Sequence, residues 1–362
     1  MSLKPKVLVA MSGGVDSSVT VHLLKEQGYE VIGVTMQQWP EDTPLPEGET
    51  GCCSLSAVED ARRVAHKLDI PHYVLNYKDL FQEQVIDYFV EEYLKGRTPN
   101  PCMACNRVYR FGALLQKAKE LEIDYIATGH YARVYYDEDR KRHVLAKGKD
   151  ANKDQSYFLY GFTQEQMKRT LLPIGSYTKP QIREIAAELG LSVAKKPESQ
   201  EICFIPDNDY RRFLRDKAPV SLEPGPFLDE TGRVLGQHNG IACYTIGQRK
   251  GLGLALGIPV YVVDIDPQRN AVIIGPETAL YSRGLLALNN NWILLDELTE
   301  PLEVTVKIRY RSPAVPAIIK PKGKGIEVLF KQPQKAVTPG QAVVYYQEDL
   351  VLGGGVIEEK YQ

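Results

Sequence analysis

The sequence predicts an α/β protein with a parallel-sheet N-terminal domain, a small central domain and a C-terminal β-barrel. Three observations predict it. Residues 1 to about 205 alternate short apolar runs with helix-period stretches, as expected of a parallel sheet covered by helices on both faces. After "PESQEICFIP" the helical period fades into Gly-rich sequence. From about residue 282, short alternating strands punctuated by Pro and Gly follow, the pattern of a small all-β barrel. The boundaries are set at 1–205, 206–281 and 282–362, and the length of 362 residues suits two or three domains of roughly 150 residues each.

The elements follow in order. "KVLVAM" reads as a strand, and the helix after it ends near Gly28. "EVIGVTMQQW" is a second strand. "SLSAVEDARRVAHKLDI" places Val58, Ala61, Val64, Ala65 and Leu68 on one helical face, with Ser54 or Ser56 as its N-cap. "HYVLNY" is a third strand, followed by a long helix ending at Gly96. "NRVYRFGALLQKAKELEI" is a further helix, and "DYIATGHYARV" reads as one strand. "VYVVDIDPQRNAVIIG" is a hairpin. "LEVTVKIRYRS", "GIEVLFKQ" and "QAVVYYQEDLVLGGGVI" supply the barrel strands.

Composition bounds the function. Net charge is −2, so RNA binding, if present, must come from local patches. No apolar run approaches the ~20 residues of a membrane span, and "MSLKPKVLVA" lacks a secretory h-region. A cytoplasmic protein is expected. Six cysteines are few and uneven for a disulfide framework; clustered thiols in a reducing compartment point to metal or redox chemistry.

"AMSGGVDSS" follows the first strand and opens a helix. Gly13 and Gly14 let backbone N–H groups approach an anion without Cβ obstruction. The helix adds its positive N-terminal end, and Ser12, Ser17 and Ser18 add hydroxyls. The turn is built to hold phosphate. It is not a Walker A loop, because no Gly-Lys-Ser/Thr is present, and no lysine in it reaches a terminal phosphate. SGGVDSS resembles the loop of ATP pyrophosphatases (adenine nucleotide α-hydrolase-like). That resemblance implies ATP cleaved between its α and β phosphates, adenylation of a carbonyl oxygen, and Asp16 placed to handle Mg2+.

Cys102 and Cys105 lie in "TPNPCMACN", and Cys203 in "SQEICFI". A CxxC fits a redox pair, a metal site or coincidence. Cys52, Cys53 and Cys243 read as packing or bystander thiols. ATP activation beside thiols points to sulfur transfer: adenylation makes oxygen a leaving group, and a persulfide supplies the sulfur.

The ordered set SGGVDSS, NPCMACN, ATGHYAR, KDQSYFL, SQEICFI, GQRKGLG and RYRSP resembles the tRNA-specific 2-thiouridylases (MnmA/TrmU type) from residue 7 to about 356. The resemblance implies ATP-dependent 2-thiolation of the wobble uridine in tRNA. It implies Cys105 as nucleophile, Cys203 as persulfide carrier, and Asn100, Pro101 and Cys102 beside the target base. It implies ATP contacts from Ala10, Met11, Ser12, Gly13, Gly14, Val15, Asp16, Ser17, Met36 and Gly129. Contacts to tRNA fall to His130, Lys153, Asp154, Gln155, Arg309, Tyr310 and Gln341. A cysteine desulfurase or a sulfur-relay protein would be the donor. The chain departs from many members at Cys102, where they carry Asp. That opens a second mechanism, a four-iron four-sulfur cluster on Cys102, Cys105 and Cys203. A competing class is an ATP-dependent amide or amine ligase with the same loop, which would not need the cysteines.

The remaining clusters read either way. His130 ends a strand, where open α/β sheets bind ligands; His22, His66 and His72 read as ordinary surface or helix residues. Lys195–Lys196, Arg211–Arg212–Arg215 and Lys307–Arg309–Arg311, with Tyr210 and Tyr310 interleaved, suit phosphate contacts and base stacking. Alternation along "VKIRYR" predicts Lys307, Arg309 and Arg311 on one side of a strand. "GQRKGLG" is either a basic loop for RNA or an interdomain turn.

Overall fold

A computed structural model describes residues 4–38, 55–196, 202–218 and 222–362. The chain divides into two compact units. The first comprises Met1–Val85, Cys102–Asn208 and Asp349–Val351, and the second Ile86–Pro101, Asp209–Glu348 and Leu352–Gln362.

The first unit is built on five parallel strands in the order β3-β2-β1-β4-β7. They are β1 Lys6–Ala10, β2 Glu30–Gln37, β3 His72–Asn76, β4 Tyr125–Ala127 and β7 Thr170–Leu171. Val7, Leu8 and Val9 of β1 are all buried, because a parallel strand with helices on both faces has no wet side. Helices α1 (Val15–Glu26) and α2 (Leu55–Lys67) follow β1 and β2. Val7, Val9, Val15, Val19, Ala61, Val64 and Ala65 form one cluster with Ile182 and Ala186 of the helix Lys179–Glu188. The apolar face read from the α2 sequence is therefore the buried one. Ser56 lies inside α2 rather than capping it; Ser54 is outside the described residues.

Two elements differ from the sequence reading. "DYIATGHYARV" is not one strand: β4 stops at Ala127, and β5 (Ala132–Asp137) pairs antiparallel with β6 (Arg142–Lys147). Between them Thr128 and His130 bond to each other at 2.7 Å, side chain to side chain, and Gly129 packs against Asp16 and Ser17. The helix carrying Cys105 is also not uniform. Cys105–Ala113 winds as a π-helix between the α-helical turns Pro101–Ala104 and Leu114–Glu120, a winding that often marks functional sites.

The second unit holds a four-stranded sheet in the order β10-β11-β8-β9. Its strands are β8 Gly225–Asp229, β9 Val234–His238, β10 Tyr261–Asp266 and β11 Ala271–Gly275, and β10 and β11 form the expected hairpin. The unit also holds six strands in the order β12-β15-β14-β13-β16-β17, closed by a β12–β17 pairing. These are β12 Tyr281–Trp292, β13 Leu302–Lys307, β14 Val315–Lys322, β15 Gly325–Lys335, β16 Ala342–Gln347 and β17 Leu350–Tyr361. Closure removes the sheet edges. "GGG" at 353–355 serves that closure: a Cβ on Gly353 would lie 2.3 Å from the Asn291 carbonyl oxygen. β13 ends at Lys307, and Arg309 to Ser312 form a turn closed by the Ser312 N–H to the Arg309 carbonyl at 3.2 Å. The predicted one-sided stripe of Lys307, Arg309 and Arg311 therefore does not form, because the strand ends before the last two.

No helix among the described residues is long and apolar enough to cross a membrane. Ile126, fully buried at the centre of β4, anchors the sheet. Ile126→Ala should cost the first unit about 2–5 kcal/mol, read as a lower urea midpoint for that unit's transition.

Candidate functional site

In the order β3-β2-β1-β4-β7 the connections reverse direction between β1 and β4, and open α/β sheets bind ligands outside the carboxyl ends of strands at such a reversal. An open cavity with polar and apolar lining lies there. Its lining includes Ser12, Asp16 and Ser17 from the glycine loop and Met36 and Gln38 from the end of β2. Arg110, Gly129, His130 and Gln155 complete the other side.

The loop is held open by its own serines. The Ser17 hydroxyl accepts from the Ser12 N–H and donates to the Gly14 carbonyl, each at 3.2 Å, and the Ser18 hydroxyl donates to the same carbonyl at 2.8 Å. Gly13 has φ +66°, and a Cβ there would lie 2.3 Å from the Ala57 carbonyl oxygen. Gly14 caps α1, and no side chain caps it. The first-turn N–H groups of a helix have no intrahelical acceptor, so they are available to an anion. Gly129 crosses so close that its Cβ would lie 2.8 Å from the Ser17 nitrogen.

Lys179 was not singled out in the sequence, yet it supplies the cation the loop lacks. Its ammonium bonds both carboxylate oxygens of Asp16 at 2.8 Å, and Lys179 is buried. The Tyr131 hydroxyl donates to Asp16 Oδ1 at 2.7 Å. Lys179 opens a helix whose cap is a reciprocal Thr178–Gln181 box. Only the box is legible in "YTKPQ"; a lysine buried 163 positions from its carboxylate leaves no local signal. Lys196 was read as one of a surface pair. Instead its ammonium donates to Asp60 at 2.7 Å and to the Gly13 carbonyl at 3.2 Å, because the loop carbonyl needs a donor on that side.

His130 is buried, and Thr128 Oγ1 lies 2.7 Å from its Nδ1. Burial, with the Arg110 charge beside it, pushes its pKa down to about 3, so it is a neutral imidazole in the cavity wall. Gln155 accepts from the Tyr131 N–H at 2.9 Å. The buried Asp154 carboxylate accepts from the N–H groups of Gly148 and Ser156 and from the Ser156 hydroxyl. In "KDQ", then, Asp154 and Gln155 brace the backbone, and Lys153 is half-buried like Gln155. His72, read as an ordinary residue, hydrogen-bonds Thr35 at 2.9 Å through Nε2, and Thr35 lines the cavity.

Cys105 is buried at the start of the π-helical stretch, Cys102 is exposed and Cys203 is half-buried; none is disulfide-bonded. Ring contacts join their segments: Phe81 meets Tyr109 at 5.3 Å and Phe204, beside Cys203, at 5.9 Å. Among the described residues no three His, Cys, Asp or Glu side chains are grouped to hold a metal ion. Cys102, Cys105 and Cys203 thus do not form a three-thiolate set in this arrangement, and among the described residues Asp16 is the only carboxylate lining the cavity. Cys52 and Cys53 lie outside the described residues.

In the second unit, Arg309 Nη2 donates to the Lys335 carbonyl at 3.0 Å, and the Lys307 ammonium sits 5.5 Å from the Tyr310 ring centroid. Tyr210, a predicted stacking residue, already stacks on Tyr93 at 5.0 Å. The Gln341 carboxamide donates to the Thr98 and Pro99 carbonyls, just before Asn100 and Pro101.

Three family descriptions match: "tRNA methyl transferase HUP domain" over residues 5–207, "tRNA methyl transferase PRC-barrel domain" over 211–276 and "Aminomethyltransferase beta-barrel domain" over 282–357. A tRNA-specific 2-thiouridylase MnmA of Moorella thermoacetica is 63% identical over 98% of this chain and 100% of its own. Those of Desulforamulus reducens and Carboxydothermus hydrogenoformans are 58% and 57% identical, each over 99% of this chain and 98% of their own.

The neutral His130 has a pH consequence. Its folded pKa lies below the ordinary value of 6.5, so the unfolded chain binds a proton that the fold does not. Stability from this source is complete above about pH 6.5 and falls as pH drops toward 3. Between pH 7 and 5 the protein should lose about 2 kcal/mol more than a His130→Gln variant, measured by urea unfolding at each pH.

Proposed function

This chain belongs to the family of tRNA-specific 2-thiouridylases, and we propose how its residues divide the work of ATP-dependent 2-thiolation of the tRNA wobble uridine. The carrying observation is the cavity at the β1–β4 reversal, lined by Ser12, Asp16 and Ser17 at the uncapped start of α1, with the buried Lys179 bonded to that Asp16. That set suits a pyrophosphate leaving group. Methyl transfer, the wording of two family descriptions, would have no use for it.

In this reading Ala10 to Ser17, Met36 and Gly129 hold ATP, and Lys179 and Arg110 neutralise its phosphates. Mg2+, when bound, offsets phosphate charge; Asp16 is the chain's carboxylate for it once Lys179 turns to the phosphates. The uridine C2 oxygen attacks the α-phosphorus, the Pα–O–Pβ bond breaks, and pyrophosphate leaves. The terminal sulfur of a Cys203 persulfide then attacks C2, and the C2–O bond breaks to release AMP. The Cys105 thiolate attacks the Cys203 sulfur, freeing the new C2 sulfur and leaving a Cys105–Cys203 disulfide for a dithiol reductant. The persulfide sulfur comes from a cysteine desulfurase or a sulfur-relay protein.

Asn100, Pro101 and Cys102 would border the target base. Lys153, Arg309 and Tyr310 would face tRNA directly, while His130, Asp154 and Gln155 shape the wall behind it. We further propose three working domains, 1–205, 206–281 and 282–362, and a cytoplasmic location, where thiols stay reduced. The iron–sulfur alternative would need Cys102, Cys105 and Cys203 to regroup.

Two experiments test this. Lys179→Met leaves Asp16 without its counter-ion, and tRNA-dependent pyrophosphate release should fall at least about a hundredfold; normal release would remove Lys179 from phosphate handling. Cys105→Ser and Cys203→Ser should each abolish thiolation while ATP binding persists, and Cys102→Asp should remain active. Joint loss of iron and activity in Cys102→Asp would favour the cluster. Full activity in Cys203→Ser would defeat both mechanisms and leave the ligase reading.

A further inference from the structure

The segment that leads into the target-base residues is fastened sideways, within the second unit, by three consecutive residues. The Arg97 guanidinium donates to Glu358 at 2.7 Å, to Glu92 at 2.7 Å and to the Ile357 carbonyl at 3.2 Å. The Thr98 N–H donates to the Pro339 carbonyl at 2.9 Å. The Gln341 carboxamide nitrogen donates to the carbonyls of Thr98 at 2.8 Å and Pro99 at 3.4 Å. The one carboxamide nitrogen thus reaches two backbone acceptors of one short strap.

The turn that carries Gln341 is itself fixed. The Gly340 N–H donates to the Ile357 carbonyl at 2.9 Å, and the Ile357 N–H returns to the Gln341 carbonyl at 2.8 Å. Gly340 has φ +90°, and a Cβ there would stand 2.9 Å from the Thr98 nitrogen. Only glycine lets the two backbones approach this closely. Asn100 and Pro101 follow the strap directly in sequence, and Cys102 begins the next stretch of the first unit.

We propose that Gln341 is a positioning residue: its carboxamide sets the Thr98 and Pro99 carbonyls and so fixes where Asn100 and Pro101 present the target base. This rests on the thiouridylase reading for its function, though not for its geometry. A residue of this kind acts on the reacting arrangement, where small misplacements are costly, and adds little to tRNA affinity. A residue that contacts tRNA directly would do the reverse.

The test uses the full chain carrying Gln341→Leu, which removes both donors at similar size. Gly340→Ala, which forces the strap away, is the second variant, and Arg309→Ala is the reference for a lost phosphate contact. In the tRNA-free protein, hydrogen exchange at the Thr98 and Asn100 amides should rise about tenfold in the two strap variants and stay unchanged in Arg309→Ala. With wild-type levels of bound tRNA, single-turnover thiolation should fall about tenfold or more, while tRNA affinity changes less than about twofold. Unchanged exchange in a folded Gln341→Leu protein overturns the latch. An affinity loss that accounts for the whole rate loss overturns the positioning role and makes Gln341 a tRNA contact. If the wild-type protein thiolates no tRNA, the function proposed above fails, and the exchange measurement still decides the latch.

Discussion

The first unit depends on one crowded crossing, where the start of α1 meets the end of β4. Gly129 lies against the Asp16–Ser17 peptide, with no room for a Cβ. Asp16 is fixed from the other side by Lys179 and Tyr131. Tyr131 is two residues past Gly129, and its backbone is tied to Gln155. The phosphate loop, the break after β4 and the "KDQ" segment are therefore one object. Their shared position follows from a parallel sheet whose connections reverse beside β1. An ion pair buried on one side adds little net stability, and loss of one partner leaves the other charge poorly compensated. Its value here is that it fixes a geometry.

Much of this was legible in the sequence, for physical reasons. Periodicity exposed α2, because burial of Ala61, Val64 and Ala65 demands one apolar face. Local turn chemistry exposed the glycine loop. The break inside "DYIATGHYARV" was not legible, because strand-forming residues stand on both sides of it and the close approach of Gly129 to Asp16 and Ser17 leaves no local signal. The basic stripe failed for a related reason: alternation predicts sidedness only while the strand continues, and β13 ends at Lys307. Lys179 and Arg110 were missed, and Lys196 was read only as part of a basic pair, because their partners are distant in sequence, and charge alone does not separate a solvated lysine from a buried one.

The cysteines show a different limit. Spacing grouped Cys102 with Cys105, but their surroundings separate them. Cys105 is buried at the start of a π-helical stretch, and Cys102 is exposed. Tyr109, on that same stretch, reaches Phe204 beside Cys203 through Phe81. No motif encodes that aromatic relay, since each ring alone reads as core. The π-helical winding is equally silent in sequence, yet it carries both Cys105 and the cavity-lining Arg110.

The Lys179–Asp16 pair also bears on what can draw that ammonium away from its carboxylate. Until a nucleotide enters, the ammonium already has a covalently tethered competitor, held at an effective concentration no dissolved monoanion matches. Chloride or acetate would have to displace a bidentate carboxylate while offering a single charge. A polyphosphate offers several charges at once, can take the ammonium, and can repay Asp16 with the metal it brings. A ligand thus has to bring more than one charge to separate the pair.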